Sequence, residues 1–126
     1  MSTNIQNFPG DVQIRGTTFI KANSNTNNIA IGTEAGENAQ RTLATAVGRQ
    51  AGSTNQGNSA VAVGNQAGQT SQGNSSVAIG VLSGCGDQGT NSVGIGNAAG
   101  RTTQGTHSVA VGYQAGETGQ NNFAVA

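Results

Sequence analysis

The sequence has 126 residues, a length that suits a single domain, and a formal net charge of zero; with 33% hydrophobic and 3% aromatic residues and no Trp, a globular core of large side chains is hard to assemble. Neutrality separates it from the highly charged chains that stay disordered at such low hydrophobicity. Arg15, Lys21, Arg41, Arg49 and Arg101 are scattered, which leaves no basic stripe for nucleic acid, and no apolar run approaches the ~18 residues of a membrane span.

Residues 1–26 come first and follow no period. Residues 1–10 are polar and lack the apolar stretch of a secretory signal, so neither standard export nor membrane insertion is expected. Val12-Gln13-Ile14-Arg15-Gly16 reads as a short strand. The segment also holds the only Pro, Pro9, and two of the three Phe residues, Phe8 and Phe19. Stacked repeats need atypical ends, so this segment is expected to cap the stack. Phe8, Val12, Ile14 and Phe19 are the candidates for attaching it to a larger assembly.

From residue 27 to residue 126 the chain repeats. Ile29-Ala30-Ile31-Gly32 recurs as Thr45-Ala46-Val47-Gly48, Val61-Ala62-Val63-Gly64, Val77-Ala78-Ile79-Gly80, Val93-Gly94-Ile95-Gly96 and Val109-Ala110-Val111-Gly112, each start 16 residues after the last. Two further columns keep the same step: Gly36, Gly52, Gly68, Gly84, Gly100 and Gly116, then Gln40, Gln56, Gln72, Gln88, Gln104 and Gln120. The chain stops at Val125-Ala126 where another Ile/Val-Gly would follow, as if the array continued.

Each unit reads as a strand, a turn at Ala-Gly, a polar second segment and a turn at Gln-Gly, giving about two corners per coil. Glycine suits these corners because positive φ carries no steric penalty, and the Gly36-to-Gly116 column is assigned to them. A helix is excluded, since Gly at this density costs about 1 kcal/mol per residue relative to Ala. The predicted fold is all-β: a parallel β-solenoid, or β-roll, with about 16 residues per coil. Alternation places Ile29, Ile31, Val47, Val61, Val63, Val77, Ile79, Val93, Ile95, Val109 and Val111 on one face, read as the repeat core, with the Ala column outward. Gln columns are read as hydrogen-bonded ladders. So thin a core predicts an intertwined or side-by-side homotrimer, with the small outward Ala column permitting close approach.

Catalytic chemistry is absent from this pattern. His107, the single His, stands in a column with Asn91, Ser75 and Ser59 and reads as a solvent-facing turn. Glu34 and Glu37 are the only close carboxylates and read as exposed charge on the first repeat rather than an acid–base pair. Cys85 is the only cysteine, so no internal disulfide forms, and it reads as a tolerated substitution where other units carry Ser53, Gln69 or Arg101. The glycines never form a phosphate-cradling loop followed by Lys-Ser/Thr, and Asp11 and Asp87 are too few for a calcium-binding repeat. Thr54, Thr70, Thr102 and Thr118 form a single column broken at Gly86, not the double Thr rank of an ice-binding face. Asn74-Ser75-Ser76 matches the glycosylation pattern, a weak signal in a chain this rich in Asn and Ser. No enzyme, cofactor or metal is expected.

The units Asn58-Ser59-Ala60-Val61-Ala62-Val63-Gly64, Asn74-Ser75-Ser76-Val77-Ala78-Ile79-Gly80 and Asn91-Ser92-Val93-Gly94-Ile95-Gly96 resemble the Asn-Ser-Val-Ala-Ile-Gly repeats of YadA-like heads in trimeric autotransporter adhesins. Gly64-Asn65-Gln66-Ala67-Gly68 and Gly112-Tyr113-Gln114-Ala115-Gly116 are also similar to repeats in fibre and capsid-associated proteins of phages and large DNA viruses, notably algal viruses. The resemblance covers residues 27–126. It implies a trimeric β-roll that contacts host surfaces. The adhesin unit is usually shorter than the one here, and the export signal, coiled-coil stalk and membrane anchor of that family are not seen. A Met1 start leading through a short distinct segment into repeats fits a structural element on a virion surface. Its expected partners are two further copies, other virion proteins at the N-terminal segment, and a host-surface glycan or protein. A bacterial adhesin head on the outer surface is the alternative.

Overall fold

The computed structural model describes residues 12–15, 17–21 and 27–126. Phe8 lies outside the described residues. Strand β1 (Val12–Ile14) pairs antiparallel with β2 (Thr17–Lys21). Strand β2 pairs antiparallel with β3 (Ile29–Ile31), with Ile20 opposite Ile31 and Lys21 opposite Ala30. The out-of-phase strand motif therefore continues the sheet as a hairpin that occupies the edge of the first repeat. Phe19 sits within β2 of that hairpin.

From β3 onward the chain winds as a parallel solenoid. The strands β4 (Thr45–Val47), β5 (Val61–Val63), β6 (Val77–Ile79), β7 (Val93–Ile95) and β8 (Val109–Val111) follow β3 in spatial and sequence order. Every pair is in register at a 16-residue offset, as in Val61↔Val77, Ala62↔Ala78 and Val63↔Ile79. Six parallel strands thus mark about five turns.

Strands end after three residues because the next position must be glycine. Gly64 has φ +129, and a Cβ there would stand 2.6 Å from the Gly80 carbonyl oxygen of the next coil. The close approach of coil to coil and the left-handed backbone both exclude a side chain.

The rest of the coil is more angular than two corners. In the Val61–Ser76 coil, Gln66, Gly68, Ser71 and Ser75 all have φ between +51 and +57. No second strand forms there; the polar segment makes isolated parallel bridges such as Thr54↔Thr70 and Gln72↔Gln88. Its backbone still pairs with the next coil, with Gly68 N–H donating to Ser83 O at 2.9 Å and Gly73 N–H to Gln88 O at 2.8 Å.

The core assignment is corrected by the structure. Among the described residues the buried apolar cluster is Ala30, Ala35, Ala46, Ala51, Ala62, Ala67 and Ala78, with Ala99 and Ala110 continuing its columns and Ala44, Ala60 and Ala98 also buried. Ile29, Ile31, Val47, Val61, Val63, Val77, Ile79, Val93, Ile95, Val109 and Val111 point outward and are partly or largely exposed. The Ala column is therefore not the outer contact surface. Alternation sets which residues share a face, but the width of the coil decides which face turns in. This coil is so flat that its interior holds Ala, Gly, Ser and one Gln per turn, and the branched side chains turn outward.

Candidate interaction surface

Each coil is braced internally by its Gln. Gln72 Nε2 donates to the carbonyl of Val61 across the same coil at 2.8 Å, and the bond recurs as Gln56 to Thr45 at 2.7 Å and Gln104 to Val93 at 2.7 Å. Gln56, Gln72, Gln88 and Gln104 are all buried. The ladder between coils is partial: Gln40 Nε2 donates to Gln56 Oε1 and Gln88 Nε2 to Gln104 Oε1, both at 3.1 Å. Gln72 Oε1 and Gln88 Oε1 are buried without a partner. The main function of the Gln column is thus to tie the polar side of a coil to its strand.

The glycine column Gly36, Gly52, Gly68, Gly84, Gly100 and Gly116 exists for this brace. All six have φ between +51 and +55. A Cβ on Gly68 would lie 2.7 Å from the Gln72 amide carbon, so glycine both turns the chain and admits the Gln.

With Ala, Ser and Gln filling the interior, the strands β3–β8 present their branched side chains to solvent. Two columns run the length of the rod: Ile29, Thr45, Val61, Val77, Val93 and Val109, and Ile31, Val47, Val63, Ile79, Ile95 and Val111. Exposure is substantial within the single chain, at 50% for Ile29, 38% for Ile79 and 55% for Val111. Val81, just after β6, is 43% exposed. At about 4.8 Å per strand step the strip extends about 24 Å, and it carries no charged residue in either column. A contiguous apolar strip left exposed on a single chain is the signature of an interaction site. Sequence reasoning found these residues but assigned them to the interior.

The remaining candidates are dispersed. His107 is exposed, at φ +57, with its ring stacked on Phe123 at 5.0 Å and its Nε2 3.2 Å from Asn91 Nδ2. Glu34 accepts a hydrogen bond from Gln50 Nε2. Cys85 is half-buried with Sγ 3.5 Å from Gln69 Oε1, and burial pushes its thiol pKa up while the Arg101 charge opposes the rise. Among the described residues there is no group of three His, Cys, Asp or Glu able to hold a metal ion, and no helix long and apolar enough to cross a membrane. No family model matches the chain, and neither a curated protein nor a solved structure matches it.

Proposed function

We propose that this chain is a structural protein that assembles as a homotrimer through the outward face of β3–β8, forming a stiff virion fibre, spike or capsid-associated element. The observation that carries the reading is the strip of branched side chains left in water by an alanine interior. Three such strips brought together about an axis bury what the single coil cannot, and the strip lengthens in step with the number of coils. A rod built this way gains interface with every repeat. The polar columns remain outside for contact with a host-surface glycan or protein, and the β1–β2 hairpin and the residues before it serve to dock the rod to other virion proteins.

The units Asn58–Gly64 and Asn74–Gly80 support a second reading, the head of a bacterial trimeric adhesin. The gene context separates the two. Capsid genes or an intramolecular chaperone belong with the first reading, and a coiled-coil stalk with a membrane barrel with the second.

Sedimentation equilibrium tests the assembly. The expected result is a trimer, converted to monomer by the paired outward changes Val63→Lys and Ile79→Lys with the far-ultraviolet dichroism retained. A wild-type chain that sediments as a folded monomer would sink the reading.

A further inference from the structure

A shallow depression of about 280 Å³, largely open to solvent, lies on the polar side of the rod, around Arg41, Asn55, Ser71, Asn74 and Thr90, with Gly57 and Gly73 as its floor. The two floor glycines belong to the column Arg41, Gly57, Gly73, Gly89, Gly105 and Asn121, in which Arg41 begins the run and lines the same depression. Side chains are excluded from the floor because a Cβ on Gly73 would stand 2.6 Å from the Gly89 carbonyl carbon.

The floor offers no backbone for strand addition. Gly57 N–H donates to Gln72 O at 2.9 Å and Gly73 N–H to Gln88 O at 2.8 Å, while the Gly73 carbonyl accepts from the Ser76 hydroxyl at 2.7 Å. The walls, in contrast, converge with free polar groups. Asn74 Oδ1 accepts the Asn58 N–H at 2.9 Å, which leaves its Nδ2 to donate outward. Among the described residues, the Arg41 guanidinium, the Asn55 amide and the Ser71 and Thr90 hydroxyls have no protein partner.

One cation surrounded by amides and hydroxyls, which both donate and accept, matches a sugar that carries one carboxylate and several hydroxyls. The spacing agrees: successive coils are about 4.8 Å apart, close to the length of one pyranose unit in an extended chain. An acidic peptide would ask for more cations or a free sheet edge, and the depression has neither.

We propose that this depression is a subsite for a uronic acid unit of a linear polysaccharide, with its carboxylate on Arg41 and its hydroxyls on Asn55, Ser71, Asn74 and Thr90. The proposal deepens the host-contact part of the reading above and rests on it only there. No residue of the depression belongs to the β3–β8 face.

Isothermal titration of the chain with tetragalacturonate, maltotetraose and tetraglutamate tests it. Tetragalacturonate binds, maltotetraose binds at least about tenfold more weakly, and Arg41→Gln lowers tetragalacturonate affinity about tenfold, the loss of one charge-assisted pair. Arg101→Gln leaves that affinity unchanged. Absence of tetragalacturonate binding at millimolar concentration overturns the proposal, as does equal affinity in Arg41→Gln with dichroism intact. Tetraglutamate binding as tightly as tetragalacturonate also overturns it, by reducing the site to charge attraction. Sedimentation of the same samples reports assembly separately, so a failed titration with an intact trimer removes this subsite alone.

Discussion

The Ser83 hydroxyl donates to the carbonyl of Gly94 at 2.8 Å, and these two residues are a matched pair. Ser83 stands where the other repeats carry Ala35, Ala51, Ala67, Ala99 and Ala115, and Gly94 stands where the other strands carry Ala30, Ala46, Ala62, Ala78 and Ala110. A Cβ on Gly94 would lie 2.9 Å from Ser83 Oγ, so the oxygen gained in one column fills the volume of the methyl lost in the other. The coil interior is therefore conserved in volume within one molecule. This is the behaviour of a close-packed core, not of a loosely filled one.

A double-mutant cycle on this pair tests that packing. Gly94→Ala overfills the coil and is expected to destabilise by about 1–3 kcal/mol. Ser83→Ala removes hydrogen bonds to Gly94 O and to Ala99 O at 3.2 Å and opens a small void, at about 1–2 kcal/mol. The double variant restores the Ala–Ala pairing of the other coils and should be more stable than Gly94→Ala alone. Denaturant unfolding measures the coupling, and strictly additive losses would contradict a shared volume.

The glycine that admits the Gln brace should be far less replaceable than one in open space. Gly68 has φ +51 and would place a Cβ 2.7 Å from Gln72 Cδ, whereas Gly119 has φ +67 and nothing within 4 Å. Gly119→Ala meets only the left-handed backbone penalty of about 1–2 kcal/mol. Gly68→Ala adds overpacking of about 1–3 kcal/mol to the same penalty. Thermal midpoints of the two variants give the comparison, and equal shifts would mean that the Gln is not held where the structure puts it.

Replacing the brace itself should produce a pH-dependent defect. Gln72→Met removes the donor to Val61 O together with the unpartnered Oε1, at about 1–3 kcal/mol. Gln72→Glu puts a carboxyl beside the same carbonyl in a buried site, where only the protonated form can donate. Its folded pKa is then raised above the unfolded one, so the Glu variant matches or approaches Met in acid and loses stability as pH rises through the folded value. Unfolding midpoints at pH 4.5 and pH 8 reveal this. A gap between the two variants that stays constant with pH would remove the buried brace from the account.

The winding was legible in the sequence because a 16-residue step repeated through the Val-Ala-Ile-Gly strand, Gly68-type and Gln72-type columns leaves little freedom of register. Orientation was not. Period-2 alternation sends Val61 and Val63 one way and Ala62 the other, and nothing in the alternation distinguishes inside from outside. Hydrophobicity favoured the branched residues for the interior; the flatness of the coil, set by Gly68 and the Gln72 brace, reversed that choice. The same flatness raised the number of left-handed positions, since Gln66, Ser71 and Ser75 turn the chain without the glycine that would have announced a corner. The depression beside Arg41 was hidden for a different reason: it is formed by residues of neighbouring coils, and a column read down the repeat does not show which columns face one another.

The environment of Cys85 leads to an expectation about its reactivity. The thiol is half-buried, and that burial raises its pKa above the ordinary value, with the Arg101 charge acting in the opposite direction. Thiolate is the nucleophile, so at pH 7 the residue is protonated and reacts more slowly than free cysteine with a disulfide reagent such as DTNB. The rate should climb as pH is raised, over a range higher than that of free cysteine measured alongside, because burial moves the titration upward. Arg101→Gln removes the one opposing charge and should shift that climb to higher pH still. Stopped-flow rates from pH 7 to pH 10 on both proteins decide it, and a rate that levels off below pH 8 would show that the burial does not protect the thiol.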